Sequence, residues 1–426
     1  MTILLFLSVL IVAIALGMPV AFALVLTGVA LMYQLDFFNA QLVAQNMLAG
    51  ADIYPLLAVP CFILAGEVMN AGGISNRIIT LASNMVGHIR GGLGYVAIAA
   101  TLLMGSFSGS ALADTAAVAT LLIPMMRDHG YPVPRSAGLI AAGGVIAPIV
   151  PPSMPFIIFG VTTNTSISNL FMAGIVPALM RAGGLVAVWW MLARKMDDIV
   201  MQPRKNWADR SRALFGSLWA LGLPVLIVGG LRGGLFTPTE ASAAAAVYAL
   251  FVSMFIYREL KVSQLFPIFV KAARTSSMVM FLAAAAFVSS YMVTLADLPA
   301  HMSAMLGPMM EHPRLLMAVV MVLLLAIGSV MDLTPTILVL GPVLLPIVVK
   351  AGVDPTYFGV MFILVGTLGL IHPPVCTVLN TVCQIARISL ESATVGVWPF
   401  LLMETALVFL FVAYPEFITV PLGWFH

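Results

Sequence analysis

The chain has 426 residues, of which 62% are hydrophobic and 8% charged, against roughly 25% charged in soluble domains. That balance excludes a soluble enzyme as the bulk of the molecule and points to an all-α polytopic membrane protein. A net charge of +2 without a basic domain offers nothing to nucleic acid, and three cysteines without a C-x-x-C pair give neither a metal site nor a disulfide framework.

In chain order, the first 35 residues carry no charge and run as one apolar segment past Gly17-Met18-Pro19. They lack the basic start and small-residue cleavage site of a signal peptide, so a retained helix is expected, tilted or broken near Pro19. A spanning helix needs about 20 apolar residues. By that measure spans are expected at 53–71, 137–161, 167–192, 214–231, 241–257, 278–295, 357–371 continuing through a break, and 394–414. Two regions differ, each having two apolar arms that meet at a small-polar centre. The first meets at Gly105-Ser106-Phe107-Ser108-Gly109-Ser110 and the second at Gly328-Ser329-Val330-Met331-Asp332. Arms of about 12 to 17 residues reach about 18 to 25 Å, short of a roughly 30 Å hydrocarbon core. Both regions are therefore read as re-entrant hairpins with tips near mid-membrane.

A repeat underlies these features. Ile149-Val150-Pro151-Pro152-Ser153 and Ile371-His372-Pro373-Pro374-Val375 lie 222 residues apart, with Pro124 against Pro346, Gly130 against Gly352, Gly174 against Gly396 and Pro177 against Pro399 in the same register. The organisation expected is 1–50 as an N-terminal scaffold helix and connection, and 51–192 as a first repeat with a hairpin at 91–127. A basic loop, middle helix pair and amphipathic connection follow at 193–275, then a second repeat at 276–426 with a hairpin at 313–350. With the N-terminus inside, Arg232, Arg314 and Lys350 fall outside, Arg181 falls within a span, and the other fifteen of the 19 Lys and Arg fall inside, as basic residues should on the cytoplasmic side. The same count makes the hairpins enter from opposite faces, so the halves are expected to be inverted copies.

Unwound backbone at membrane depth must be buried in protein or line a wet cavity. The two tips and the two Pro-Pro breaks are such places. The prolines cannot donate backbone bonds, which frees carbonyls near 147–150 and 369–372. Carbonyl oxygens suit an alkali cation, and the helix N-termini beyond suit a carboxylate. Asp114 and Asp332 are intramembrane acids beside the tips, open to either ligand contact or helix capping. Glu67 is placed near a membrane boundary, and Glu240 in Thr237-Pro238-Thr239-Glu240 fits a helix N-terminus. Arg181 is open to an anion contact or a structural ion pair. Of the six histidines only His372 lies in an expected break, the others reading as surface or interfacial, and Asp197-Asp198 read as solvated.

Gly105-Ser106-x-Ser108-Gly109-Ser110-Ala111-x-Ala113-Asp114, Ile123-Pro124-x-Met126, Pro151-Pro152-Ser153, Gly234-Leu235-Phe236-Thr237-Pro238-Thr239-Glu240, Met331-Asp332 and Gly369-Leu370-Ile371-x-Pro373-Pro374 together resemble the large membrane subunit of tripartite ATP-independent periplasmic (TRAP) transporters, most of all the branch handling sugar acids such as 2,3-diketo-L-gulonate. The resemblance implies an elevator-type secondary transporter of the bacterial inner membrane, driven by sodium, with no cofactor beyond Na+. It also implies a small four-helix membrane subunit and a periplasmic substrate-binding protein that delivers an organic anion, a C4-dicarboxylate or sugar acid.

By the family pattern one sodium site uses Ser106, Ser108 and Gly109 with Ala147, Val150 and Pro152, and a second uses Gly328, Gly369, His372 and Val375. The family usually has Thr before Pro-Pro, so His372 keeps the backbone carbonyl and removes a hydroxyl, with weaker sodium binding or pH-sensitive coupling as the consequence expected. Substrate is expected between tips and breaks, at Ser110, Asp114, Ser153, Asp332, Thr334, Thr377 and Asn380. Two other readings compete. A stand-alone sodium/anion symporter needs no binding protein. An intramembrane enzyme is disfavoured by the lack of H-E-x-x-H, a paired Asp motif or a nucleophile elbow, and an ATP-driven pump by the lack of a Walker A string.

Overall fold

The computed structural model describes residues 2–197, 199–297 and 307–423. Asp198, His301 and His426 lie outside the described residues. Every regular element among the described residues is helical, and seven helices are long and apolar enough to cross a membrane, or eight if one bent pair is counted as a single span.

The helices that open the chain are α1 (Thr2–Ala15), α2 (Val20–Gln34) and α3 (Ala40–Ala51). The segment expected as one span is thus interrupted, and its two halves pack side by side. Gly17 at φ 81 closes α1, with Met18 N–H donating back to Ala13 O, and Pro19 opens α2. Gly supplies the left-handed turn and Pro cannot continue the preceding helix, so the chain folds back instead of tilting. The alternation of sides is therefore counted from α4 (Ala58–Ala71), which continues the turn Tyr54–Leu57.

After α4 come α5 (Ile74–Val86), α6 (Gly92–Ser108), α7 (Ala111–Asp128), α8 (Val133–Gly144), α9 (Met154–Thr163) and α10 (Ile167–Ala193). The middle pair is α11 (Trp207–Arg232) and α12 (Pro238–Phe251), the latter passing into a π turn at Val252–Ile256. Helix α13 (Val262–Leu295) merges the expected amphipathic connection and span into one 34-residue rod. The last helices are α14 (Pro313–Gly328), α15 (Leu333–Lys350), α16 (Pro355–Gly369), α17 (Thr377–Ala386), α18 (Leu390–Ala413) and α19 (Glu416–Gly423).

Small residues let the long helices approach closely. The alanine-rich face of α12 packs on α4, and Gly138 of α8 meets Gly396 of α18. Glu240 completes a capping box with Thr237 at the start of α12, as its sequence suggests. Cys61, Cys376 and Cys383 are unpaired packing residues.

The basic residues gather at one end. Arg77 meets Glu259 and stacks on Tyr257, Ser83 donates to Gln202, Arg210 meets His88, Arg90 pairs with Asp197, Val200 N–H donates to His129 O, and Arg127 donates to Ala386 O. Helix α18 leaves that end and runs 24 residues, about 36 Å at 1.5 Å per residue. Its far end shares a cavity with Arg314, Gly352 and Asp354. The hairpin of α6 and α7 therefore has both outer ends at the basic end, and that of α14 and α15 has both at the other.

Candidate functional site

The first tip is tighter than its sequence suggests. Helix α6 stays helical through Gly105-Ser106-Phe107-Ser108 and stops only at Gly109, φ 60, before Ser110 caps α7. The reason is local: the Ser106 hydroxyl bonds back to Leu103 O at 2.5 Å instead of competing for the backbone. Ser108 Oγ accepts from Ser110 N–H at 3.0 Å and donates to Asp114 Oδ1 at 2.7 Å, tying the turn to the first turn of α7. Asp114 is buried, and its Oδ2 has no hydrogen-bond partner among the described residues.

This tip rests on the first break. Helix α8 ends at Gly144, a short 3₁₀ turn covers Ala147–Ile149, Val150 is extended, and the cis Pro151-Pro152 leads to Ser153. Ser153 caps α9 by accepting from Phe156 N–H at 3.2 Å, and its hydroxyl donates to Pro148 O. The two arms of the break are bent by 44°. A Cβ on Gly105 would sit 2.6 Å from the Ala147 Cα, and one on Gly109 would sit 2.9 Å from Pro152 O, so only glycine permits these approaches. The expected carbonyls are only partly free. Ala147 O accepts from Val150 N–H within the 3₁₀ turn, whereas Val150 O and Pro152 O have no donor among the described residues.

The second tip and break follow the same plan with different detail. Helix α14 ends at Gly328, and 329–332 are unwound before α15. Gly328 and Gly369 meet backbone to backbone, and Val375 N–H donates to Ser329 O at 3.3 Å. Gly369 O is taken by His372 N–H, while the His372 carbonyl has no donor among the described residues. The His372 ring turns inward, with Nδ1 donating to Pro373 O at 2.7 Å. One break carbonyl is thereby occupied by the His372 ring.

A cavity of about 330 Å³ lies where these parts converge. It is lined by Gly109 and Ser110 of the first tip, Pro148 and Met154 beside the first break, Asp332 and Thr334 of the second tip, Leu370 and Thr377 of the second break, and Val279 of α13. Four expected substrate residues, Ser110, Asp332, Thr334 and Thr377, are brought together there. Asp332 is solvent-accessible, lines the cavity and precedes α15 without capping it by a side-chain hydrogen bond. Three others stand apart: Asp114 and Ser153 are buried, holding tip and break, and Asn380 is exposed further along α17.

Sequence reasoning missed Glu404, which lies fully buried in α18 and pairs with the fully buried Arg181 of α10 at 2.9 Å. A basic and an acidic residue each alone in an apolar span was the available signal, since such charges must be paired. Arg181 is thus a structural ion-pair member and lines no part of the cavity. Glu67 pairs with Lys271 at 2.7 Å.

Comparison with known proteins gives a consistent picture. Residues 7–417 match the family model described as tripartite ATP-independent periplasmic transporter, DctM component. The chain is 52% identical over 426 residues to the 2,3-diketo-L-gulonate TRAP transporter large permease protein of Escherichia coli K12, covering all of both chains. It is 35% identical over 401 residues to the sialic acid TRAP transporter large permease protein of Vibrio cholerae, covering 94% of each. Among solved structures, the Alcanivorax borkumensis YdaH transporter matches with a TM-score of 0.60 at 15% identity over 88% of each chain, a likeness of fold.

Proposed function

The chain belongs to the DctM family of TRAP transporters, a large permease and not an enzyme, and on that premise we propose that it imports an organic anion, a sugar acid or C4-dicarboxylate, against its gradient by sodium coupling. In this reading a periplasmic binding protein delivers the solute and a small four-helix subunit completes the membrane complex. The basic end faces the cytoplasm of a bacterial inner membrane. The two hairpin-and-break halves are inverted copies that move together against α13 as an elevator.

The cavity shared by both tips and both breaks carries this reading. Its volume falls in the roughly 300–1,000 Å³ range of small-molecule sites, and it presents groups suited to a hydroxylated acid. The N-terminal turns of α7, α15 and α17 are favourable for a carboxylate. Ser110, Thr334 and Thr377 supply hydroxyls, and Asp332 accepts from sugar hydroxyls. Val150 O and Pro152 O beside the first tip, with His372 O beside the second, are hard oxygen donors suited to Na+.

The test is uptake of a panel of sugar acids and dicarboxylates by proteoliposomes containing the permease, the small subunit and the binding protein, with and without a sodium gradient. Accumulation that requires all three proteins and inward sodium is expected. Equal uptake without sodium would remove the coupling. Uptake by the permease alone would favour a stand-alone symporter.

A further inference from the structure

We propose that Arg181, held by Glu404, is a positioning residue that locks the two broken helices at a fixed spacing, so that a ligand bound at one break is felt at the other. The guanidinium touches both breaks at once. Its Nη1 donates to Val145 O at 3.3 Å and to Thr367 Oγ1 at 2.9 Å, and its Nη2 donates to Leu364 O at 3.4 Å and to Glu404 Oε2 at 2.9 Å. Val145 closes α8 two residues before Ala147, and Thr367 lies two residues before Gly369. A single nitrogen therefore bridges the last turn before each break.

Two features argue that the pair is kept for geometry. First, Arg181 Nε and Glu404 Oε1 are buried without hydrogen-bond partners among the described residues, so the pair is incompletely satisfied and a poor device for stability alone, since apolar residues of similar volume often stabilise as well or better. Second, a planar guanidinium holds its donors in a rigid fork, which a flexible ammonium with three donors cannot reproduce at four separate acceptors. Helix α10 itself lines no part of the cavity, so Arg181 acts through the backbones it holds.

The inference concerns the sodium-coupled reading above, and the experiment has one arm that depends on it and one that does not. Thr367→Val removes one hydroxyl at nearly constant volume, and Arg181→Lys keeps the charge and loses the fork. Both are compared with the wild-type three-component complex after thermal melting confirms folding. In the first arm, wild-type uptake is expected to rise with sodium at a Hill coefficient of about 2, falling to about 1 in both variants with a half-saturating concentration raised on the order of fivefold. In the second arm, spin labels replace the exposed Leu112, at the first tip, and the exposed Val375, at the second break. A narrow distance distribution is expected in otherwise wild-type protein and a broadened one with either variant.

Folded variants with an undiminished Hill coefficient and an equally narrow distribution would overturn the inference. Sodium-independent wild-type uptake would overturn the coupling reading instead, and the label distances would still decide the role of Arg181.

Discussion

The two Pro-Pro breaks start from nearly the same string and end in different environments. Pro151, Pro152 and Ser153 are buried, whereas Pro374 and Val375 are exposed. The difference begins with one residue. Ser153 directly follows the prolines and caps α9, which starts at Met154. Val375 has no group with which to cap, so the chain runs one residue further, through Cys376 at φ 40, before α17 starts at Thr377. The tips repeat the contrast, with Ser110 capping α7 by a side-chain bond and Asp332 leaving α15 without one. A hydroxyl at the cap draws the first half-site into a closed unit. The second half-site, without a side-chain cap, stays more exposed.

What the halves share is the glycine contact between hairpin and broken helix, and breaking it is expected to have the largest effect. A Cβ on Gly369 collides with the Gly328 backbone, and one on Gly105 meets the Ala147 backbone. Neither neighbour is a flexible side chain that can swing aside. Gly369→Ala and Gly105→Ala should each destabilise by about 1–3 kcal/mol through overpacking and abolish uptake, measured by thermal unfolding and by transport in proteoliposomes. If Gly369→Ala transports normally, the second half-site is not held by its hairpin, and the likeness between halves ends at the prolines.

The parts legible in sequence are those where residue type dictates backbone. Pro151-Pro152 and Pro373-Pro374 mark breaks because proline removes donors, and Gly109 marks a turn because the left-handed region favours glycine. Arg181 and Glu404 sit 223 residues apart on different helices; each, as a lone charge in an apolar span, signals that it needs a partner, but nothing local says which residue that is. The fold-back at Gly17-Met18-Pro19 was visible as a break, while its direction depends on packing between α1 and α2. The roles of Asp114 and Asp332 diverge for a similar reason. Both follow a tip, yet Ser108 reaches Asp114 across the Gly109 turn and engages it, and Asp332 has no such partner in its tip.

Exchanging the capping residues tests the origin of the contrast. Ser153→Val should cost about 1–2 kcal/mol, because the Phe156 N–H and Pro148 O both lose a buried partner. Thermal melting would show the loss, and hydrogen exchange at Met154 and Phe156 should rise. Val375→Ser should act in the opposite sense, slowing exchange at the start of α17 and reducing accessibility at Pro374. Unchanged exchange in both variants would mean that burial of the first break comes from the surrounding helices and owes nothing to the cap.

The smallest effect is expected at His372, where the side chain is replaced and the backbone carbonyl stays. Its Nδ1 now donates to Pro373 O, so the ring occupies an oxygen that would otherwise be available within the second break. His372→Thr frees that carbonyl and adds a hydroxyl, which can shift the half-saturating sodium concentration downward by about threefold, in keeping with the ~0.5–1.5 kcal/mol of a single neutral polar contact. Uptake by the two proteins measured across sodium concentrations is the check. A downward shift in the threonine variant assigns the ring a blocking role at the Pro373 carbonyl, and identical curves for both proteins would show that the open half-site owes its behaviour to Val375 and Cys376, with no contribution from the residue before the prolines.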